Sequence, residues 1–137
     1  MSILIDTCIW SLALRRKNNN HDEHIQELNL LISEYRALII GPIRQEILSG
    51  INNPKQFTKL RKLLAAFPDL NILTSDYEQA AEFFNLTRSK GIQGSMIDFL
   101  ICAVANRNNI LIYTVDNDFS YFKKYIPIEL HSVRYHP

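Results

Sequence analysis

Asp6, Glu46, Asp98, Asp116 and Asp118 are the residues of this sequence best placed to do chemistry. Asp6 follows the apolar run Ile3-Leu4-Ile5, and Asp116 and Asp118 follow Ile110-Leu111-Ile112-Tyr113. A carboxylate just past a buried strand stands at the strand's carboxyl end, where open α/β sheets form their sites. Asp98 is the single charge in SMIDFLICAVA, residues 95–105, and no basic residue lies within a turn of it. Keeping a carboxylate in such a helix costs roughly several kcal/mol unless it is paired or metal-bound. Glu46, in PIRQEILSG, borders the apolar face made by Ile43, Ile47 and Leu48. Gathered in one cleft, these acids repel one another unless divalent cations neutralise them. Hard oxygen donors select Mg²⁺ or Mn²⁺ over zinc, and the chemistry such clusters serve is phosphodiester hydrolysis.

Each acid also has an ordinary role open to it. Asp6 can cap the helix that follows. Glu46 can be an exposed helical glutamate. Ser95 and Asp98 have the spacing of a capping box, and Asp116 and Asp118 suit a turn. An EF-hand loop is excluded, because Tyr121 and Pro127 stand where its Gly and Glu are needed. A phosphoryl-accepting receiver domain wants an acid pair after the first strand and a Lys after the last, and neither is there. A dehalogenase-type phosphatase wants a second Asp at position 8, which is Cys8. A zinc site from His21, His24, His131 and His136 lacks the tight ligand pairs of structural zinc.

The elements that must position the acids are readable from hydrophobic periodicity. Short apolar runs at 2–5, 37–40, 70–73 and 110–113 predict strands, with a fifth at 128–133. Helices are predicted from Thr7 to Leu14, over 22–35, from Pro42 to a C-cap at Gly50, from Pro54, from the capping-box pattern Ser75-Asp76-Tyr77-Glu78 to about Ser89, and over 95–106. Strands that are apolar throughout and alternate with helices predict a parallel sheet covered on both faces, an α/β sandwich.

Bulk properties agree with one domain spanning residues 1–137. The chain is 47% hydrophobic and 21% charged, as globular proteins are. No apolar run reaches the ~20 residues of a membrane span. MSILIDTCIW has neither a basic leader nor a small-residue cleavage site, so a cytoplasmic protein with no membrane association is expected. Cys8 and Cys102 sit in apolar stretches and read as buried thiols. The net charge of +1 makes any basic surface a local one.

Four stretches in order, ILIDTCIW at the start, EILSG at 46–50, DFLICA at 98–103 and TVDNDF at 114–119, resemble the motifs of PIN-domain ribonucleases, and in particular the VapC-like toxins of type II toxin–antitoxin pairs. The resemblance spans essentially the whole chain. It implies a three-layer α/β/α sandwich around a central parallel sheet and Mg²⁺- or Mn²⁺-dependent cleavage of RNA. It assigns catalysis to Asp6, Glu46, Asp98 and Asp116 and metal binding to Asp6, Asp98, Asp116 and Asp118, with Thr7 and Thr114 in support. It also implies a homodimer and a cognate antitoxin protein as partner. Arg15, Arg16, Lys17 and Arg44, the basic residues nearest these acids in sequence, are the expected RNA contacts. Cys102 departs from the family, which usually has Ala there. A PIN-like module that only binds RNA or a partner, and a housekeeping RNA-processing nuclease, are the alternatives. The first is expected to have lost an acid, and all four are present.

Overall fold

The structure is a computed structural model that describes residues 1–15 and 22–134, with Arg15 described by its backbone alone. The described elements run β1 (Ile3–Ile5), α1 (Thr7–Arg15), α2 (Glu23–Ser33), β2 (Ala37–Leu38), α3 (Gly41–Leu48), α4 (Pro54–Leu64), α5 (Thr74–Ser89), α6 (Met96–Asn108), β3 (Leu111–Tyr113) and α7 (Asp118–Phe122). The three strands form one parallel sheet in the order β2-β1-β3. Ile3 pairs with Ala37 and Leu111, and Ile5 pairs with Tyr113. The ladder continues one residue further, where the Asp6 amide donates to the Tyr113 carbonyl at 2.9 Å. Asp6 and Thr114 therefore leave adjacent strands side by side.

Successive strand residues point to opposite faces, and Ile3, Leu4 and Ile5 are all 0% exposed, so helices cover both faces of the sheet. This is the expected three-layer α/β/α arrangement. α6 supplies much of the core, with Phe99 through Ala105 all buried. It ends at Asn109, whose left-handed φ of 53° suits an Asn cap. Gly94, just before α6, has a packing reason. A Cβ there would lie 2.5 Å from Phe122 Cζ and 2.9 Å from Phe99 Cζ, so only Gly lets the helix start press against that aromatic pair.

Three local readings need correction. Residues 70–73 and 128–133 do not form strands. One isolated parallel bridge, Ile39 with Asp69, stands just before the first, where the Leu70 amide donates to the Ile39 carbonyl at 2.9 Å, and one, Ile112 with Leu130, lies within the second. At 70–73 exposure alternates, with Leu70 and Ile72 half-buried and Asn71 and Leu73 exposed, so the segment only skirts the sheet. α5 begins at Thr74, and the acid that reaches back is Asp76, accepting the Leu73 amide at 2.9 Å, rather than Glu78. Asp118, read as a turn residue, opens the short helix α7, held by buried Phe119 and Phe122.

Candidate active site

Asp6 is only 5% exposed, and its carboxylate is turned toward β3. Oδ2 accepts the Thr114 hydroxyl at 2.8 Å, and Oδ1 accepts the Thr7 amide at 2.8 Å. The amides of Ile9 and Trp10 instead reach the Asp6 backbone carbonyl, so its side chain is released from conventional capping. Burial pushes the Asp6 carboxyl above the usual range, against the hydrogen bonds from Thr114, Cys8 and Thr7, and the charge of Asp116 adds to the rise.

Thr114 joins the two strand ends. Its Oγ1 donates to Asp6 and accepts the Asp116 amide at 2.9 Å. Asp116, half-buried, accepts the Asp118 amide at Oδ1 at 2.9 Å, just ahead of α7. Asp98 makes the full capping box, with Oδ2 accepting the Ser95 amide at 3.0 Å while Ser95 Oγ accepts the Asp98 amide at 3.1 Å. Its carboxyl is also raised, first by burial, then by the charges of Asp6 and Asp116. The ordinary role and the chemical one coexist in this residue, and Asp6, Asp98 and Asp116 lie within electrostatic reach of one another.

The remaining acids are looser. Glu46 is exposed on α3, and no hydrogen bond or ion pair among the described residues joins it to the other three. Asp118 is exposed at the first position of α7 and gives only its amide to Asp116. Arg44 points elsewhere. Its guanidinium pairs with Asp69 at 3.0 Å and donates to the carbonyls of Leu64 and Phe67. Arg16 and Lys17 lie outside the described residues, as does the side chain of Arg15. His21 and His136 lie outside them too, while His24 faces Tyr113 and His131 faces Glu27.

Two features escaped sequence reasoning. Cys8 Sγ sits 3.4 Å from both Asp6 Oδ2 and Thr114 Oγ1 and accepts the Val115 amide at 3.4 Å. Burial and the Asp6 charge push its thiol up to about 11, so it serves as a neutral hydrogen-bonding group. Its place in the first turn of α1, two residues past Asp6, was the available signal. The second is the state of Thr7, which the resemblance placed in support: its Oγ1 is buried and has no hydrogen-bond partner among the described residues.

Among the described residues no three acidic, His or Cys side chains close into a group that could hold a metal ion. The donor chemistry nevertheless fits a hard divalent cation. Among the described residues these mutually repelling carboxylates have no Lys, Arg or His ion pair, Asp98 Oδ1 and Asp116 Oδ2 accept no hydrogen bond, and the Thr7 hydroxyl beside Asp6 has no partner.

The PIN domain family model matches residues 3–125. The chain belongs to the PIN-domain family. Ribonuclease VapC11 of Mycobacterium tuberculosis is 32% identical over 136 residues, covering 96% of this chain and 99% of the relative. The fold is that of FitAcB from Neisseria gonorrhoeae, with a TM-score of 0.75 at 18% identity over 95% of this chain and 96% of that one. A toxin–antitoxin complex from Klebsiella pneumoniae gives 0.65 at 19% identity, over 87% and 91% of the two chains. In this PIN domain the acids of the first and last motifs are held together by Thr114, and the third-motif acid, Asp98, is held in place by its own capping box.

Proposed function

We propose that the protein is a metal-dependent endoribonuclease and the toxin of a toxin–antitoxin pair. The observation that carries the reading is the set of three electrostatically coupled acids, Asp6, Asp98 and Asp116, lacking any partner cation among the described residues of a PIN domain. The identity to a relative named as a ribonuclease supports RNA as the substrate. The fold shared with a chain of a toxin–antitoxin complex supports an antitoxin as the partner.

In this reading Asp6, Asp98 and Asp116 hold Mg²⁺ or Mn²⁺, with Asp118 beside them. The ion supplies Lewis-acid stabilisation at the scissile phosphate. Thr114 fixes Asp6 Oδ2 and sets the start of the Asp116 turn, so one hydroxyl aligns two carboxylates. Ser95 fixes Asp98 in one rotamer. Burial of Asp6 strengthens its interaction with any charge brought into the site. Glu46, exposed on α3 with no hydrogen bond or ion pair to the other three among the described residues, is the fourth acid of this reading.

The homodimer that the resemblance implies is supported by uncovered apolar surface. A groove of about 420 Å³ runs between α3, α5 and the start of α6, where Tyr77 is 57% and Met96 81% exposed. No helix among the described residues is long and apolar enough to cross a membrane, which is compatible with the cytoplasmic location we propose.

The test is RNA cleavage by the purified chain. Cutting of single-stranded or looped RNA is expected with Mg²⁺ or Mn²⁺ and is expected to stop in excess EDTA. Full activity in EDTA overturns the metal mechanism. No cleavage under any metal condition, from a chain that is folded and free of antitoxin, returns the protein to a non-catalytic binding role. If a small gene adjoins this one, as the toxin reading expects, co-expression with it tests the pairing, by capture of its product and loss of cleavage.

A further inference from the structure

Between Glu46 and Asp69 the chain has no acidic residue and four cations, Lys55, Lys59, Arg61 and Lys62, all on α4. That stretch carries +4 against +1 for the whole chain, so the remainder sums to −3. α4 is well made. Asn53 caps it by accepting the amides of Lys55 and Gln56 at 2.9 and 3.1 Å, and Pro54 fills its first position. Leu60 and Leu64 fix one face against the core. Lys55, Lys59 and Lys62, at i, i+4 and i+7, then share the opposite face, spanning about 10 Å of helix axis. Together with Thr58 they line one shallow depression.

The partnering of the other cations makes this face unusual. Arg36, Arg44, Arg107, Lys123 and Arg134 are in ion pairs with carboxylates. Arg88, Lys90 and Lys124 lie over the rings of Phe84, Tyr125 and Tyr121. Among the described side chains, only the α4 cations have neither kind of partner. α4 is also anchored to α3, the helix of Glu46, because Arg44 holds the carbonyls of Leu64 and Phe67 at the α4 C-terminal end.

We propose that the Lys55–Lys59–Lys62 face of α4 docks the sugar–phosphate backbone of a single-stranded RNA, holding substrate at a distance from the bond that is cut. The proposal rests on the ribonuclease reading and adds the surface that grips the substrate. Phosphates meet lysine charges that no internal carboxylate neutralises, and the Thr58 hydroxyl supplies a further donor. Such contacts position RNA and carry no sequence information.

The experiment measures binding of a fluorescently labelled single-stranded RNA across a series of KCl concentrations, using the full chain with Asp98→Asn so that the probe survives. Single-stranded binding loses about 0.7 in the log–log salt slope per phosphate contact removed. The triple variant Lys55→Gln, Lys59→Gln, Lys62→Gln should therefore lower the slope by about 2 and weaken binding at low salt about tenfold or more. Arg at all three positions should restore both. Gln at Arg88, Lys90 and Lys124 removes the same charge elsewhere and should change the slope by less than about half as much. With Asp98 intact, the α4 triple variant should raise KM for long RNA and leave kcat unchanged.

An unchanged slope and affinity in the α4 triple variant overturn the proposal while leaving the ribonuclease reading standing. A parent chain that neither binds nor cuts RNA overturns both. A variant that keeps RNA binding and loses capture of a co-expressed antitoxin overturns it in favour of an acidic protein partner. The three lysines are exposed, so the variants are expected to fold, and circular dichroism with the Arg rescue checks that they do.

Discussion

Asp6 and Glu27 are both buried carboxylates, 5% and 0% exposed, and their surroundings treat them in opposite ways. Glu27, on α2, meets His131 Nε2 at 2.6 Å and takes the Arg134 guanidinium Nε at 3.1 and 3.0 Å on its two oxygens. Arg134 continues to Glu34, which also receives Arg36, so the chain after β3 is clamped to α2 by a charge network. Burial alone would push the Glu27 carboxyl up, but the bonds from Arg134 and His131 outweigh it and hold it at about 2. Around Asp6 burial wins. Its donors are a hydroxyl, a thiol and an amide, and its charged neighbours are two more acids. A buried acid supplied with cations from its own chain does structural work. One left among other acids has a charge deficit that a ligand from outside can fill.

The contrast breaks hardest at Glu27. Glu27→Gln leaves Arg134 and His131 facing a neutral amide and should cost about 3 kcal/mol at neutral pH. Urea unfolding checks this, and cleavage per folded molecule should stay near wild type. A cost below about 0.5 kcal/mol would mean the clamp is ornamental. Asp98→Asn should act the other way round. The amide oxygen still accepts the Ser95 N–H, so the capping loss is about 1 kcal/mol or less. Losing one coupled acid offsets part of that, so the melting temperature in EDTA should be equal or higher. Cleavage should fall about 100-fold or more, since even outer-shell changes at metal sites cost 10–100-fold. A folded Asp98→Asn chain cutting at the wild-type rate would remove this acid from the site.

How much of this was legible in the sequence follows from how far apart the partners lie. Asp6 and Asp116 could be found because each follows an apolar run, and parallel pairing brings adjacent strand ends together without further information. Asp98 could be found because a lone acid in SMIDFLICAVA needs a reason, although its capping-box role was equally visible. Glu27 gave no such signal. It lies between Ile25 and Leu28 in an ordinary amphipathic helix, and its partners are 104 and 107 residues away. The residues 70–73 and 128–133 look like strands by composition, yet each sits at the sheet margin, beside or within a single isolated bridge, at Asp69 and at Leu130. The α4 lysines stand in a stretch with no acid between Glu46 and Asp69. Their lack of partners became visible only once the other described cations were seen to be occupied.

The two acids should also separate by pH. Glu27 is depressed from 4.5 to about 2 on folding, so its contribution is complete above about 4.5 and is lost as pH falls toward 2. Asp6 and Asp98 are raised on folding, so in EDTA their protonation favours the folded state as pH falls toward the ordinary carboxylate range. Metal-free wild type should thus hold or gain stability on mild acidification and lose it below about 4.5. Glu27→Gln should flatten the acid limb, and Asp98→Asn should diminish the gain above it. Stability by urea unfolding at a series of pH values reads both, and an acid limb unchanged in Glu27→Gln would detach it from the clamp.

The smallest effect should come from Thr7, and it bears on what the site lacks. Its Oγ1 is buried without a hydrogen-bond partner, next to a carboxylate already using both oxygens. An unsatisfied buried hydroxyl is a cost that an apolar group of the same shape avoids. Thr7→Val keeps the shape and removes the hydroxyl, so metal-free stability should be unchanged or higher by about 1 kcal/mol or less. If the hydroxyl waits for a partner that arrives with metal or substrate, the same variant should show a smaller rise in melting temperature on adding Mg²⁺ or Mn²⁺, together with slower cleavage. Ligand-linked stabilisation is about 1.4 kcal/mol at ten times the dissociation constant, so a reduced response is measurable. Wild-type metal response and wild-type cleavage in Thr7→Val would leave the hydroxyl as a packing group, and the charge deficit beside it would then belong to the carboxylates alone.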